Sequence, residues 1–252
     1  MHDQSTAHVV VVRWQHTSGV DDGGLDAAVA LLSGGERERF ERLRRPDDRR
    51  DYALAHALLR QTLASSGSHA AADWQFTTDD RGRPGLANGQ LVFSLSHTRG
   101  LVACAVSTAG QVGLDVEAVR PISAAQIADD FFSPEEQRQL ELLGAPAAAL
   151  RFFDCWTLKE AYSKAIGAGL HLPLNATSFM LAGRTIEASF PESSPSAVCA
   201  LFSAGEGYRL AVAAIAPTDG SPLLMRNGNL DGSPRLGVIA CAPGLWLEGF
   251  DG

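Results

Sequence analysis

Lysine is the scarcest charged residue in this chain of 252 residues. Of the 21 basic residues only Lys159 and Lys164 are lysine, and both lie in the segment 151–170. A lysine ammonium is a compact point charge that can give up its proton when it is partly buried, whereas an arginine guanidinium keeps its proton. The segment that contains both lysines is therefore the first candidate for a functional site.

The sequence also lacks a basic excess, paired cysteines and long apolar runs. Its net charge of −8 argues against a general nucleic-acid or acidic-membrane binder, since these proteins need a basic surface. The four cysteines are isolated, which predicts free thiols rather than a disulfide framework or a cysteine metal site. No apolar run approaches the ~20 residues of a membrane span, and residues 1–14 carry no cationic leader. These features predict a cytoplasmic protein that binds neither nucleic acid nor membranes.

The order of predicted elements repeats along the chain. A helix from Asp51 followed by strands at 91–107 matches a helix from Arg151 followed by strands at 197–214, an offset of about 100 residues. We predict an α+β fold of two pseudosymmetric α/β halves from an internal duplication, with the site at their interface. The predicted boundaries are 1–112 for the N-terminal half, 113–216 for the C-terminal half and 217–252 for a loosely attached Gly/Pro-rich tail.

Residues 151–170 predict a helix, because the segment lacks proline, is rich in helix formers and ends in a glycine-containing stretch. Trp156, Glu160 and Lys164 are spaced i, i+4, i+8 and therefore share one helix face. A solvated ion pair between Glu160 and Lys164, which would contribute about 0.3–0.5 kcal/mol, is the alternative interpretation. Lys159 falls off the shared face and is expected to support packing.

The segment QVGLDVE alternates as a β-strand does and places Asp115 and Glu117 on one face, about 6–7 Å apart at the backbone. Two carboxylates at this spacing can converge on a hard divalent cation. Mg2+ commonly takes one or two carboxylates together with the oxygens of a substrate pyrophosphate. A solvent-facing acidic pair is the other interpretation of the same pattern.

Two further segments can bind phosphate. Ser96 and His97 are predicted to lie in a polar turn between two strands, where a hydroxyl, an imidazole and free backbone N–H groups can hold an anion. A turn without a ligand is the alternative. The arginine-rich segment 37–50 is either a salt-bridged solvated face or, in part, a phosphate site.

The motifs SLSH, GLDVEAVRP, FFSPEEQ and WTLKEAYSKAIGAGL occur in this order. Together they resemble the surfactin-type 4'-phosphopantetheinyl transferases over roughly residues 37–216, and four motifs in the right order and separation are specific where one is not. The resemblance implies two pseudosymmetric halves with coenzyme A and Mg2+ between them. It also implies transfer of the phosphopantetheine arm to a serine of an apo acyl or peptidyl carrier protein, with release of 3',5'-ADP.

The resemblance also implies roles for individual residues. Asp115, Glu117 and Glu160 resemble the three carboxylates around Mg2+, and Lys164 resembles the lysine that contacts the pyrophosphate. Glu160, or a water at the metal, could accept the proton of the carrier serine. Lys164 could stabilise or protonate the departing 3',5'-ADP, which makes Glu160 and Lys164 the candidate catalytic residues.

Coenzyme A contacts follow from the same resemblance. Ser96 and His97 resemble the pair that holds the 3'-phosphate and adenosine. The remaining candidate contacts are cationic residues, namely Arg39, Arg45, Arg50, Arg83 and Lys164.

Two other function classes use the same residues. A Mg2+-dependent hydrolase of nucleotide pyrophosphates would replace the carrier serine by water, and a non-catalytic module would only hold coenzyme A or a carrier protein. The amphipathic stretch 122–132 is the predicted carrier contact, because carrier proteins are commonly acidic with an apolar patch. We expect a monomer, since the two halves already form the interface that holds the site.

Overall fold

The computed structural model describes residues 8–67, 69–80, 82–87, 89, 91–108, 110–167, 173–215, 223–228, 236–243 and 245–251. The helices are α1 (Asp22–Ala30), α2 (Gly34–Arg42), α3 (Pro46–Ser66), α4 (Ala124–Phe131), α5 (Pro134–Glu141) and α6 (Ala145–Ile166). The strands are β1 (His8–His16), β2 (Phe76–Thr78), β3 (Pro84–Leu86), β4 (Val92–Thr98), β5 (Leu101–Ser107), β6 (Val112–Ala118), β7 (Ser178–Ala182), β8 (Thr185–Ser189), β9 (Ala197–Ser203), β10 (Tyr208–Ile215), β11 (Leu223–Asn227), β12 (Gly237–Cys241) and β13 (Trp246–Glu248). No helix in the described ranges has the length and apolar character that a membrane span requires.

The strands form two main sheets and one small one. The first sheet has the order β13-β11-β1-β5-β4, the second has the order β6-β10-β9-β12-β8-β7, and β2 pairs with β3. Helix α3 packs on the first sheet and α6 packs on the second. The predicted repeat of elements is confirmed, since α3 precedes the hairpin β4–β5 and α6 precedes the hairpin β9–β10. The α+β fold class is confirmed as well.

The two sheets meet where their edge strands β4 and β6 lie against each other. Side-chain hydroxyls connect these edges. The Ser94 Oγ accepts a hydrogen bond from the Leu114 N–H at 2.9 Å, and the Ser96 Oγ accepts one from the Val116 N–H at 3.4 Å. Both serines are buried. Because backbone groups at a buried sheet edge need partners, the two hydroxyls let β6 lie against the neighbouring sheet without orphaned donors at these two positions.

Helix α6 lies unusually close to β6, and a glycine permits this approach. A Cβ atom added at Gly113 would lie 1.9 Å from the carbonyl oxygen of Ala161 and 2.4 Å from the backbone N of Ala165. The helix ends at Gly167, whose φ of 67° is a left-handed conformation that glycine adopts at low cost. The predicted end of the helix at this glycine is confirmed, whereas Leu170 lies outside the described residues.

A buried ion pair anchors α6 from its other side. The Lys159 side chain is fully buried, and its Nζ lies 2.8 Å from the Glu136 Oε2. The same ammonium donates hydrogen bonds to the carbonyl oxygens of Leu174, at 2.8 Å, and Thr177. Glu136 also closes the capping box of α5 with Ser133. The burial of Lys159 in this pair confirms its predicted packing role. Removal of one partner of a buried ion pair typically costs about 3–5 kcal/mol.

The segment 217–252 is not loosely attached where the structure describes it. Strand β11 pairs in parallel with β1, β13 continues that sheet, and β12 pairs with β9 and β8 in the second sheet. Met225 and Leu236 are fully buried. The expectation of a loose tail is therefore wrong. The Gly/Pro/Asn-rich composition of this segment gives no clear strand pattern, although the segment contains short apolar strands. These strands are stable here because each one pairs with a strand of one of the two sheets.

The close packing at Gly113 gives a direct test of the fold. We expect Gly113→Ala to lower the free energy of unfolding by at least about 1–3 kcal/mol, because the new Cβ would meet helix backbone that cannot turn aside. Gly35→Ala in α2 is the matched control, since no heavy atom of the described ranges lies within 4 Å of its added Cβ. The free energy of unfolding of the control should stay the same or rise slightly, because alanine is the better helix former. Denaturant unfolding measures both, and a Gly113→Ala protein as stable as the wild type would contradict the described approach of α6.

Candidate active site

At the centre of the candidate site, three polar side chains from three elements hydrogen-bond to one another. Lys164 on α6 places its Nζ 2.7 Å from the Asp115 Oδ1 on β6. The Ser96 hydroxyl on β4 donates to the same Oδ1 at 2.9 Å and accepts from the Lys164 Nζ at 3.0 Å. Asp115 is buried, whereas 34% of the Lys164 side chain is exposed. The three groups therefore join both sheets and present one partly accessible cation.

The other oxygen of Asp115 has a different environment. Its Oδ2 is buried and has no hydrogen-bond partner among the described residues. A buried acceptor without a partner costs roughly 1–3 kcal/mol, more when the group is charged. A cation that reaches this oxygen would remove the penalty, which is a property expected of a ligand-binding carboxylate.

Two more carboxylates surround Asp115. The Glu117 Oε1 accepts a hydrogen bond from the Trp156 indole N–H at 3.1 Å, and the Arg120 Nη1 lies 3.8 Å from the Glu117 Oε2. Glu160 lies on α6 one turn before Lys164 and interacts electrostatically with Asp115. Trp156, Glu160 and Lys164 share one helix face, as the spacing predicts, and the structure turns this face towards β6. In the described structure Lys164 pairs with Asp115 rather than forming the solvated pair with Glu160.

The cluster contains three carboxyl groups but only the one lysine ammonium described above. Burial, and next the charge of Asp115, raise the pKa of Glu117. The same two causes raise the pKa of Glu160, and the neighbouring Lys164 only partly offsets them. Both glutamates therefore hold a proton to higher pH than a solvated glutamate does. Additional positive charge would stabilise the ionised cluster.

A resident metal is not visible in the arrangement of the side chains alone. Within the described ranges, no group of three or more His, Cys, Asp or Glu side chains has the geometry of a metal site. The donors nevertheless fit Mg2+, because Asp115 offers a buried oxygen without a partner and two acids with raised pKa values lie beside it. Asp115, Glu117 and Glu160 thus remain predicted ligands.

Ser96 and His97 lie on opposite faces of one strand and do not form the predicted pair. Both residues lie inside β4, and the turn that follows consists of Arg99 and Gly100, whose φ is 88°. Neighbouring residues in a strand point to opposite faces, so only Ser96 faces Asp115. His97 is exposed, and its charged neighbours include Asp51 on α3. The expectation that both residues lie in a polar turn is therefore wrong.

Arg83 lies close to Lys164. Both residues line a cavity of about 270 Å3 together with Phe93, Ser163 and Gly167. A Cβ added at Gly167 would lie 2.9 Å from the Arg83 Nη1, which places the guanidinium at the C-terminal end of α6. Within the part of the chain that the structure describes, the Arg83 Nη2 is buried without a hydrogen-bond partner, and burial lowers the pKa of Arg83. The cavity thus combines two cations with apolar walls.

The other three candidate arginines lie in different places on the protein. Arg39 lies over the Tyr52 ring, 5.9 Å from its centroid, and lines a cavity of about 260 Å3. Arg50 donates to the Val20 carbonyl oxygen and lines a different cavity of about 360 Å3. Arg45 is exposed at the N-cap of α3. These three arginines therefore do not all line one cavity.

Two residues that matter to the site were missed by sequence reasoning. Trp156 was placed on the correct helix face without a role, although a partly buried indole N–H usually finds an acceptor. Gly113 precedes Asp115 by two residues and permits the close approach of α6. A glycine inside a strand pattern is a known signal for close backbone approach and could have been used.

Comparison with known proteins agrees with this geometry. Residues 111–213 match the family model of the 4'-phosphopantetheinyl transferase superfamily. The 4'-phosphopantetheinyl transferase HetI of Nostoc sp. (strain PCC 7120) is 34% identical over 62% of this chain and 68% of its own length. The 4'-phosphopantetheinyl transferase Sfp of Bacillus subtilis (strain 168) is 28% identical over 75% of this chain and 84% of its own length. The chain belongs to the 4'-phosphopantetheinyl transferase superfamily. It is an enzyme of this transferase type, as the motifs imply.

The raised pKa of Glu160 gives a test of the crowded acids. The folded protein holds this proton to higher pH than the unfolded chain does, so stability falls as pH rises from the ordinary glutamate pKa through the raised one. At pH 7 we therefore expect Glu160→Gln to raise the thermal midpoint of the metal-free protein. The rise should be about 2 °C or more for each kcal/mol by which the free energy of unfolding increases. Scanning calorimetry with a chelator at pH 7 measures the gain, which should vanish near pH 4. A lower midpoint for Glu160→Gln at pH 7 would contradict this account of the cluster.

Proposed function

We propose that the cluster around Asp115 is the site at which this enzyme transfers the 4'-phosphopantetheine arm of coenzyme A to a serine of an apo acyl or peptidyl carrier protein, releasing 3',5'-ADP. The observation that carries the proposal is the buried Oδ2 of Asp115, which no described residue hydrogen-bonds, beside the partly accessible ammonium of Lys164. A pyrophosphate needs charge neutralisation and positioning more than covalent help, and this junction supplies both kinds of group.

Asp115, Glu117 and Glu160 would hold the metal in this proposal. When bound, Mg2+ neutralises the charge of the pyrophosphate oxygens. The chain prepares these ligands in two ways. The Trp156 indole N–H fixes one oxygen of Glu117, and the contacts of Lys164 with the Asp115 Oδ1 leave the other oxygen free. Such supporting contacts orient ligands and strongly influence metal affinity.

Lys164 and Glu160 are the proposed catalytic residues. The exposed third of Lys164 opens into the cavity that it shares with Arg83, so the ammonium can contact a pyrophosphate oxygen and stabilise the departing 3',5'-ADP. Glu160 lies one turn away, and its raised pKa suits a group that takes the proton of the carrier serine. Both groups are half-buried, which reduces solvent screening of their electrostatic effect on the reacting atoms.

The proposed coenzyme A contacts receive unequal support. Arg83 shares a cavity with Lys164 and has an unpartnered, buried Nη2, so its support is direct. His97 and Arg39 lie on the α3 side of the first sheet, where a nucleotide phosphate could reach them. Arg45 and Arg50 remain proposals that rest on their place in the sequence.

An apolar surface next to Glu117 supports the proposed carrier contact. A groove of about 360 Å3 begins at Arg120 and includes Ile122 of the predicted stretch 122–132. Among the described residues, four exposed large apolar side chains belong to the helical segment 124–166 that supplies part of this groove, namely Ile127, Leu142, Leu143 and Leu150. An acidic carrier with an apolar patch near its serine would match this surface. We further propose that the enzyme acts as a cytoplasmic monomer.

Mass spectrometry of the acceptor tests the proposed function. We expect incubation with coenzyme A, Mg2+ and an apo carrier protein to add the mass of one phosphopantetheine to the carrier serine. Asp115→Asn should abolish this gain at an unchanged fold, because the metal loses its buried ligand. Cleavage of coenzyme A without modification of the carrier would show a hydrolase, and binding without cleavage would show a non-catalytic module. Either result, or full activity of Asp115→Asn, would contradict the proposal.

A further inference from the structure

Arg120 lies between the candidate active site and the apolar groove beside it. It follows the end of β6, and its Nη1 lies 3.8 Å from the Glu117 Oε2. Its guanidinium also lies over the buried ring of Phe153 on α6, 5.2 Å from the ring centroid. The same residue lines the groove of about 360 Å3. One side chain therefore pairs with a predicted metal ligand and borders the proposed carrier surface.

We propose that Arg120 couples the binding of the carrier protein to the binding of the metal. In the free enzyme its guanidinium neutralises part of the Glu117 charge. A carboxylate of the docked carrier would draw the guanidinium away, so that the Glu117 Oε2 becomes available to the metal. The inference rests on the proposed function, because it needs both a carrier protein and a Mg2+ site that includes Glu117.

The contact between Arg120 and Glu117 is suited to such an exchange. Its 3.8 Å separation exceeds the length of a direct hydrogen bond, and 63% of the Arg120 side chain is exposed. Exposed ion pairs contribute little, so another carboxylate can replace Glu117 at small cost. The Glu117 Oε1 accepts a hydrogen bond from the Trp156 indole N–H at 3.1 Å. The indole therefore still holds the Glu117 carboxylate when the guanidinium leaves.

The walls of the groove indicate the chemistry of the partner. Apart from Arg120, the residues that line it are apolar, namely Val119, Pro121, Ile122, Ala145, Pro146 and Ala149. A partner that fills this groove must present an apolar surface with an acidic side chain near Arg120. A carrier protein with these properties would bring its negative charge next to the cation that pairs with Glu117.

The exchange acts in both directions. Carrier binding removes a cation from Glu117, so that the affinity for the metal rises. When Glu117 is bound to the metal, the guanidinium is released towards the carrier carboxylate, so that the affinity for the carrier rises. Thermodynamic linkage requires the two factors to be equal. Because the pair is exposed, we expect each factor to be about two- to fivefold.

Carrier affinity measured with and without Mg2+ tests this coupling independently of catalysis. The ligand is an apo carrier protein that the wild-type enzyme modifies, with its acceptor serine replaced by alanine so that no transfer occurs. Fluorescence anisotropy gives its Kd with saturating coenzyme A and either Mg2+ or a chelator. Salt at about 0.15 M screens charges that are more than about 8 Å apart. For the wild type we expect Mg2+ to lower the Kd about two- to fivefold.

Two arginine variants decide which residue produces the effect. Arg120→Met keeps a long side chain without the charge, and Mg2+ should change its carrier Kd by less than about 1.5-fold. Its Mg2+ affinity without carrier, measured by calorimetry, should be higher than that of wild type, because Glu117 has lost a competing cation. Arg138→Met is the matched control, because Arg138 also forms an exposed i,i+3 pair, with Glu135, which is not a predicted metal ligand. This control should keep the wild-type coupling.

Three outcomes would overturn the inference. The first is an equal effect of Mg2+ on carrier binding in Arg120→Met and wild type, and the second is a lower Mg2+ affinity of Arg120→Met without carrier. The third is a loss of coupling in Arg138→Met as well, since the effect would then follow overall charge. Failure of the wild-type enzyme to modify any carrier would contradict the proposed function itself, and that result is obtained before any variant is compared.

Discussion

The contact between the Lys164 ammonium and the Asp115 carboxylate is the interaction on which the rest of the site depends. Asp115 is buried at a sheet edge, where an ionised carboxylate is unfavourable unless a charge compensates it. Lys164 supplies that charge from α6, and the Ser96 hydroxyl joins both groups from the other sheet. The pairing uses one carboxylate oxygen only. It therefore permits an acid to remain buried and still present a free oxygen to a ligand.

The packing around this contact places the helix where the contact requires it. Gly113 permits α6 to lie against β6, and the buried pair of Lys159 with Glu136 fixes the opposite side of the helix. The two lysines of the chain thus have different tasks on one helix. The charge of Lys159 is compensated inside the protein by Glu136, whereas Lys164 remains partly exposed beside a cavity. The cluster still holds more acid than base, which costs stability in the free protein and favours a cationic ligand.

Sequence reasoning predicted the features that depend on local periodicity. The helix face of Trp156, Glu160 and Lys164 and the strand with Asp115 follow from spacing and propensity. Features that depend on tertiary contacts were not accessible. The partner of Lys164 is 49 residues away on β6 rather than one helical turn away, and Ser96 is in a strand because β5 extends the hairpin past it. The tail joins both sheets although its composition predicts a loop.

A double-mutant cycle tests the central contact most directly. The free energies of unfolding of wild type, Asp115→Asn, Lys164→Met and the double variant are measured in urea without metal. If the ammonium compensates the buried carboxylate, the two substitutions should be coupled by on the order of 1 kcal/mol, because each one alone leaves its partner without compensation. Additive effects, with a coupling below about 0.3 kcal/mol, would contradict the account.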